Sequence, residues 1–328
     1  MNISQQTSNK ISILSFIATI MVVYRHGFTG KAFFESGCVG LDKFIQNGIG
    51  HITEIAVPYF FIVSGFFFWK VDYHKWNNYK QMITKKCKTL LVPFVFWNLL
   101  AIPFWLYRKS VNMSTSDILK SFFLSEPYGP LWYVRDLMVF MLLSPIISFI
   151  FNEKSKYILF VLLVFLLFFW NPVDSAFFSS EGFSFFILGG FIRSLNVTPF
   201  KINFLTIFGF LIIWLSLCFF VDLWSSELWH KISIIIGLFS CWNLTSIFIV
   251  CKKRFLYLSH FSFFIYVTHF YIIKTLKIFM ANFFWGNQIV SLLSFLLLPI
   301  ITVGVIIVIG KKIKEIMPNT YKFILGNR

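Results

Sequence analysis

The sequence predicts an all-α, polytopic membrane helical bundle of about ten transmembrane helices. Three observations carry that prediction. First, the chain of 328 residues is 58% apolar and only 13% charged, against about 25% charged in a soluble domain. So few charges cannot cover a water-facing surface. Second, long uninterrupted apolar runs recur, as in Ile158–Trp170, Phe204–Val221 and Ile289–Ile309, with Phe used 46 times. Crossing the hydrocarbon takes roughly 20 such residues. Third, the basic residues sit in short clusters between the runs. That pattern fits loops held against anionic lipid and argues against nucleic acid, despite a formal net charge of +16.

In chain order the predicted spans are residues 11–28, 54–69, 89–106, 131–151, 157–171, 183–195, 204–222, 232–250, 257–279 and 288–310. The first follows a single Lys10 and has no small-residue cleavage site after it, so it reads as a retained helix rather than a signal peptide. The segment 183–195 is short and carries Gly189 and Gly190, small residues that let membrane helices approach closely. Residues 1–10 read as an N-terminal tail, 11–310 as one transmembrane domain and 311–328 as a basic C-terminal tail.

Loop charge gives the orientation. With the N-terminus cytoplasmic, the inside segments hold 19 of the 29 Lys and Arg residues but only Asp72, Glu153 and Glu315 of the 13 acidic ones. The positive-inside rule then places both termini in the cytoplasm of a multi-pass cell-membrane protein. The cysteines, Cys38, Cys87, Cys218, Cys241 and Cys251, are scattered with no C-x-x-C pair, so no disulfide framework or metal site is expected.

Ionisable residues inside spans are costly in lipid and point to an enclosed polar interior. Tyr24-Arg25-His26 closes the first span. An imidazole there suits general-base work, because it titrates near neutrality. Arg25 is either an anion ligand or a residue reaching into the headgroups. Val57–Phe66 opens the second span with Pro58 in its first turn and holds Ser64-Gly65, a small surface for a neighbouring helix or a ligand; Glu54 before it reads as an interfacial anchor. The stretch Lys70–Lys88, read as a cytoplasmic loop, carries six lysines including Lys85, Lys86 and Lys88. They would attract donor phosphates or lipid. Gly129–Asp136 places Trp132 and Tyr133 at an interface and the Arg135–Asp136 doublet just inside a span, as a structural ion pair or a substrate contact. Tyr266 and His269 are three residues apart and share a helix face, with His269 near mid-span. Phosphate-loop, dinucleotide, zinc-protease and G-x-S-x-G signatures are missing.

Taken in order, these motifs resemble the acyltransferase-3 family of membrane acyltransferases. The matching pieces are the first span ending in His26, the F-F-x-x-S-G core within Val57–Phe66 and the Leu91-Val92-Pro93 entry to the third span. Leu131-Trp132-Tyr133 and the series Ser262, Tyr266, His269 complete the set, which runs through nearly the whole chain. The resemblance implies transfer of an acyl group, usually acetyl, from cytoplasmic acetyl-CoA to a hydroxyl of a glycan or lipid-linked sugar. His26 then takes the place of the family's essential histidine. Arg135, Tyr266 and His269 are candidates for holding oxyanion charge, and Lys85, Lys86, Lys88, Ser64 and Trp132 for contacting the donor. One departure stands out: the family's arginine eleven residues before the histidine is Ser15 here. A glycan transporter or a non-catalytic assembly partner are the competing readings, and neither requires a thioester.

Overall fold

The computed structural model describes residues 4–69, 73, 75–109, 114–151, 158, 161–162, 164–165, 168–169, 175–194, 203–248 and 252–327. Regular structure among them is helical, apart from an isolated bridge between Ser175 and Phe178. This is what lipid demands of an open chain, because only a helix satisfies its own backbone groups without water.

The first helix, α1 (Gln5–His26), starts earlier than predicted, because the Ser4 side chain accepts from the Thr7 N–H at 3.1 Å and caps it. The predicted polar tail is thus largely helix. A short turn of helix, α2 (Gly30–Phe33), leads to α3 (Gly40–Thr53). The sequence reading left α3 as loop. It is rich in Gly and polar residues, yet it buries one face, including Asp42, Gln46 and His51. After α4 (Ala56–Phe68), the expected lysine loop is instead α5 (Trp76–Lys86). Lysine is a good helix former, and α5 runs through a π turn at Cys87–Leu91 into α6 (Val92–Lys109). The wider turn falls just before Pro93, where a regular α turn would meet the proline ring. Lys70 and Asp72 lie outside the described residues.

The short α7 (Thr115–Phe123) carries a capping box between Ser114 and Asp117. The predicted span 131–151 is two helices, α8 (Trp132–Leu142) and α9 (Ser144–Phe151), broken at Leu143 with Pro145 in the following first turn. Most of the predicted span 157–171 lies outside the described residues. The chain continues with α10 (Ser180–Ser194), α11 (Phe204–Phe220) and α12 (Glu227–Phe248). The span expected at 257–279 divides into α13 (Lys252–Ser259) and α14 (Ser262–Phe284). The long α15 (Gln288–Ile316) and the short α16 (Pro318–Ile324) close the chain. The C-terminal segment is therefore mostly helix. The Trp97 indole donates to the Ile324 carbonyl at 3.1 Å and fastens α16 to α6.

Five stretches among the described residues are long and apolar enough to cross a membrane: Gln5–Phe33, Gly40–Phe68, Trp76–Tyr107, Ser262–Phe284 and Gln288–Ile316. Phe204–Phe220 is a shorter apolar helix. The chain forms two compact units, one of Met1–Phe60 with Thr198–Gly310 and the other of Phe61–Val197 with Lys311–Arg328. In the first, α1 packs against α3, α12, α13 and α14, and α11 packs against α3 and α12. In the second, α4 and α10 touch backbone to backbone. A Cβ on Gly65 would strike the Phe186 carbonyl, and one on Gly189 would strike that of Ile62. That matches the packing role read from these small residues.

Candidate active site

Within the first unit, the end of α1 and the first half of α14 bring two histidines together. The rings of His26 and His269 lie 5.2 Å apart, centre to centre. The Phe270 ring meets His26 edge-on at 5.1 Å. His269 is fully buried, and its Nδ1 sits 2.8 Å from the Tyr266 carbonyl and 3.1 Å from that of Ile265. A carbonyl can only accept, so Nδ1 carries the proton and Nε2 is left as the lone-pair nitrogen. Nε2 has no hydrogen-bond partner among the described residues. Tyr266 adds its backbone carbonyl to this arrangement, while its ring lies 6.3 Å from the His269 ring. His26 is half-buried at the last position of α1.

Charged residues surround this pair. The Lys277 ammonium donates to the His26 carbonyl at 3.0 Å and to the Phe28 carbonyl at 2.7 Å. It thereby satisfies carbonyls that the end of α1 leaves without intrahelical partners. Beside His26, Arg25 reaches Glu54 at 3.3 Å. Glu54 is a hub: the Trp224 indole donates to it at 2.6 Å, His230 Nε2 stands at 2.9 Å and His51 Nδ1 at 3.6 Å. The Arg25 guanidinium also lies over the Phe28 and Trp224 rings, at 5.8 and 5.7 Å.

A second lock follows α1. Gln46 accepts from the Thr29 N–H at 3.0 Å and donates to the Thr29 hydroxyl and to Asp42, each at 2.6 Å. Ser291 donates to the other Asp42 oxygen at 2.7 Å. All four residues are buried. Cys38 borders this lock; burial pushes its thiol up to about 11, so it stays neutral. Ser15, where the resemblance expected an arginine, hydrogen-bonds at 3.2 Å to the hydroxyl of the buried Tyr59, which donates to the Ile11 carbonyl at 2.8 Å. The ring of Tyr59 thus fills this part of the unit, and no cation stands at Ser15 itself.

The other predicted site residues lie in the second unit. Arg135 is held there by its neighbour: Nε and Nη2 reach Asp136 Oδ1 at 2.9 and 2.7 Å, and Nη1 donates to the Leu124 carbonyl at 2.9 Å. The Ser179 N–H donates to Asp136 Oδ2 at 3.1 Å. The two residues thus form an ion pair with each other. The Ser64 hydroxyl pairs with that of Tyr133 at 2.9 Å. Trp132 is partly exposed, 6.2 Å from the Phe61 ring. Lys85 and Lys88 are exposed and Lys86 half-exposed along the helical run from α5 into the π turn. No group of three metal-ligating side chains occurs among the described residues, and Cys38, Cys87, Cys218 and Cys241 are free; Cys251 lies outside them.

Sequence reasoning missed Lys277, His51, Trp224 and His230. His51 and Glu54, three apart on one helix, carried a faint signal. Trp224 and His230 meet Glu54 from far along the chain, and no spacing betrays that.

The chain matches the family model of the acyltransferase-3 group, described as an acyltransferase domain, over residues 9–311. No curated protein and no solved structure matches it. Because the family match runs through nearly all of the chain and takes in both histidines, this protein belongs to the acyltransferase-3 family and is an enzyme that transfers acyl groups other than aminoacyl ones.

Proposed function

We propose that the protein is a cell-membrane O-acyltransferase that moves an acyl group, acetyl in the simplest case, from acyl-CoA to a hydroxyl of a glycan or lipid-linked sugar. The observation that carries this reading is the His26–His269 pair at 5.2 Å, with the His269 ring locked in a single tautomer and its Nε2 without a hydrogen-bond partner among the described residues. His26 takes the proton of the acceptor hydroxyl as its oxygen attacks the thioester carbon. A new C–O bond forms, the C–S bond breaks, and the proton passes to the departing CoA thiolate. His269 acts as acceptor through Nε2, either for the hydroxyl or for the His26 N–H, and so orients the proton transfer. The lysines at 85, 86 and 88 attract the phosphates of the donor on the cytoplasmic side. That side follows from the loop charges, with both termini cytoplasmic and about ten crossings.

The test is release of CoA and transfer of label from radiolabelled acetyl-CoA to membrane glycans by the purified protein. His26→Ala should lower the rate by about 10²–10⁴-fold, the range for loss of a general base. An undiminished rate in that variant removes His26 from the mechanism.

A further inference from the structure

We infer that Lys277 is a positioning residue for the acyl transfer: its ammonium holds the last turn of α1 so that the His26 ring stays set against the His269 ring. This rests on the acyl-transfer reading of the histidine pair and adds the residue that fixes its geometry.

Three residues of α14, each four apart, meet the end of α1 in order. His269 meets the His26 ring, centre to centre at 5.2 Å. A Cβ added to Gly27 would stand 3.4 Å from Ile273 Cδ1 and 3.1 Å from Pro299 Cγ on α15, so the Gly27 backbone is seated closely on both helices. Lys277 donates to the His26 carbonyl at 3.0 Å and to the Phe28 carbonyl at 2.7 Å. Residues four apart on a helix are offset by only about 40°, so His269, Ile273 and Lys277 form one stripe. The same helix thereby holds His26 twice, through its ring and through its carbonyl. Two such points fix both the height and the rotation of the last turn of α1.

Closing α1 does not by itself call for a lysine. The Gly27 N–H already donates to the Tyr24 carbonyl at 2.8 Å, and carbonyls at a helix end can turn to water. An ammonium in an apolar helix is costly, and residues of this kind mark function. What the lysine adds is reach: a four-carbon stem crosses between helices and ends in donors that both carbonyls use. The histidine pair is sensitive to such placement, because a shift of about 1 Å can cost about 10²-fold in rate.

The experiment is a double-mutant cycle on kcat in nanodiscs, with acetyl-CoA as donor and a membrane glycan fraction as acceptor. Lys277→Met keeps the stem and discards the donors. It should lower kcat about 10- to 100-fold while KM for acetyl-CoA changes less than about 3-fold. In a His269→Phe background the same substitution should cost less than about 3-fold, because the spacing it sets no longer has a partner ring. Should Lys277→Met not fold, Lys277→Arg carries the cycle, with a loss of a few-fold that likewise vanishes beside His269→Phe. An unchanged kcat, or equal fold-losses in the two backgrounds, overturns the positioning role. A second readout needs no turnover: carbethoxylation of His26 by diethyl pyrocarbonate, followed by peptide mass. It should speed up several-fold in Lys277→Met, and unchanged labelling also overturns the inference. If labelling responds but the wild type transfers no acyl group, the enzymatic reading fails while the hold of Lys277 on His26 stands.

Discussion

His269 shows how much a single hydrogen bond can decide. Its Nδ1 is claimed by two carbonyls of its own helix, so the ring cannot turn over without leaving a donor unsatisfied in a dry interior. A buried, orphaned polar group costs about 1–3 kcal/mol. His269→Phe keeps the volume and discards Nε2. It should lower kcat by about 10-fold or more, with a smaller change in KM, in the acetyl-CoA assay; an unchanged kcat would make His269 a packing residue. The ion pair of Arg135 with Asp136 bears on stability. Asp136→Ala leaves a guanidinium without its counter-ion, and such a loss costs about 3–5 kcal/mol in a buried setting. It should show as a lower thermal midpoint of the purified protein. The individual histidines stood out in the sequence, because an ionisable group within an apolar run is conspicuous. Their pairing did not, since 26 and 269 share no local pattern; the family resemblance alone brought them together.

At the level of helices, hydropathy made most of the architecture readable. The elements it misjudged have physical reasons. Helix α3 mixes Gly with polar residues and buries them through hydrogen bonds rather than apolar area, so no apolar run announces it. The run from α5 to α6 is interrupted by lysines and a proline, which look like a loop until the π turn takes up the proline. The contact of α4 with α10 depends on absent side chains. Gly65→Ala or Gly189→Ala should separate these helices and lower stability by about 1–3 kcal/mol, the usual cost of overpacking. Gly209→Ala, whose added methyl meets nothing, serves as the control. Thermal unfolding in detergent distinguishes the three; equal midpoints would show that the two backbones do not touch.

For the whole molecule, the orientation rests on where the lysines lie. Cys87 is an exposed free thiol within the basic run, next to Lys86 and Lys88. In a Cys251→Ser background, a membrane-impermeant maleimide should label Cys87 in inside-out vesicles and leave it unlabelled in intact cells. Labelling of intact cells would invert the assigned topology. The division into two compact units was invisible beforehand, because each draws on chain segments far apart in the sequence.

The clasp of Lys277 on the carbonyl of His26 joins residues 251 positions apart. A ribosome adding about 5–20 residues each second would need roughly 12–50 s to bridge that interval. For nearly all of it, the imidazole hangs from a helix terminus with neither its clasp nor its partner ring yet made. On the proposed mechanism, a nascent chain can thus thread α1 into the bilayer as chemically idle protein. Competence, on that mechanism, waits until α14 has been made.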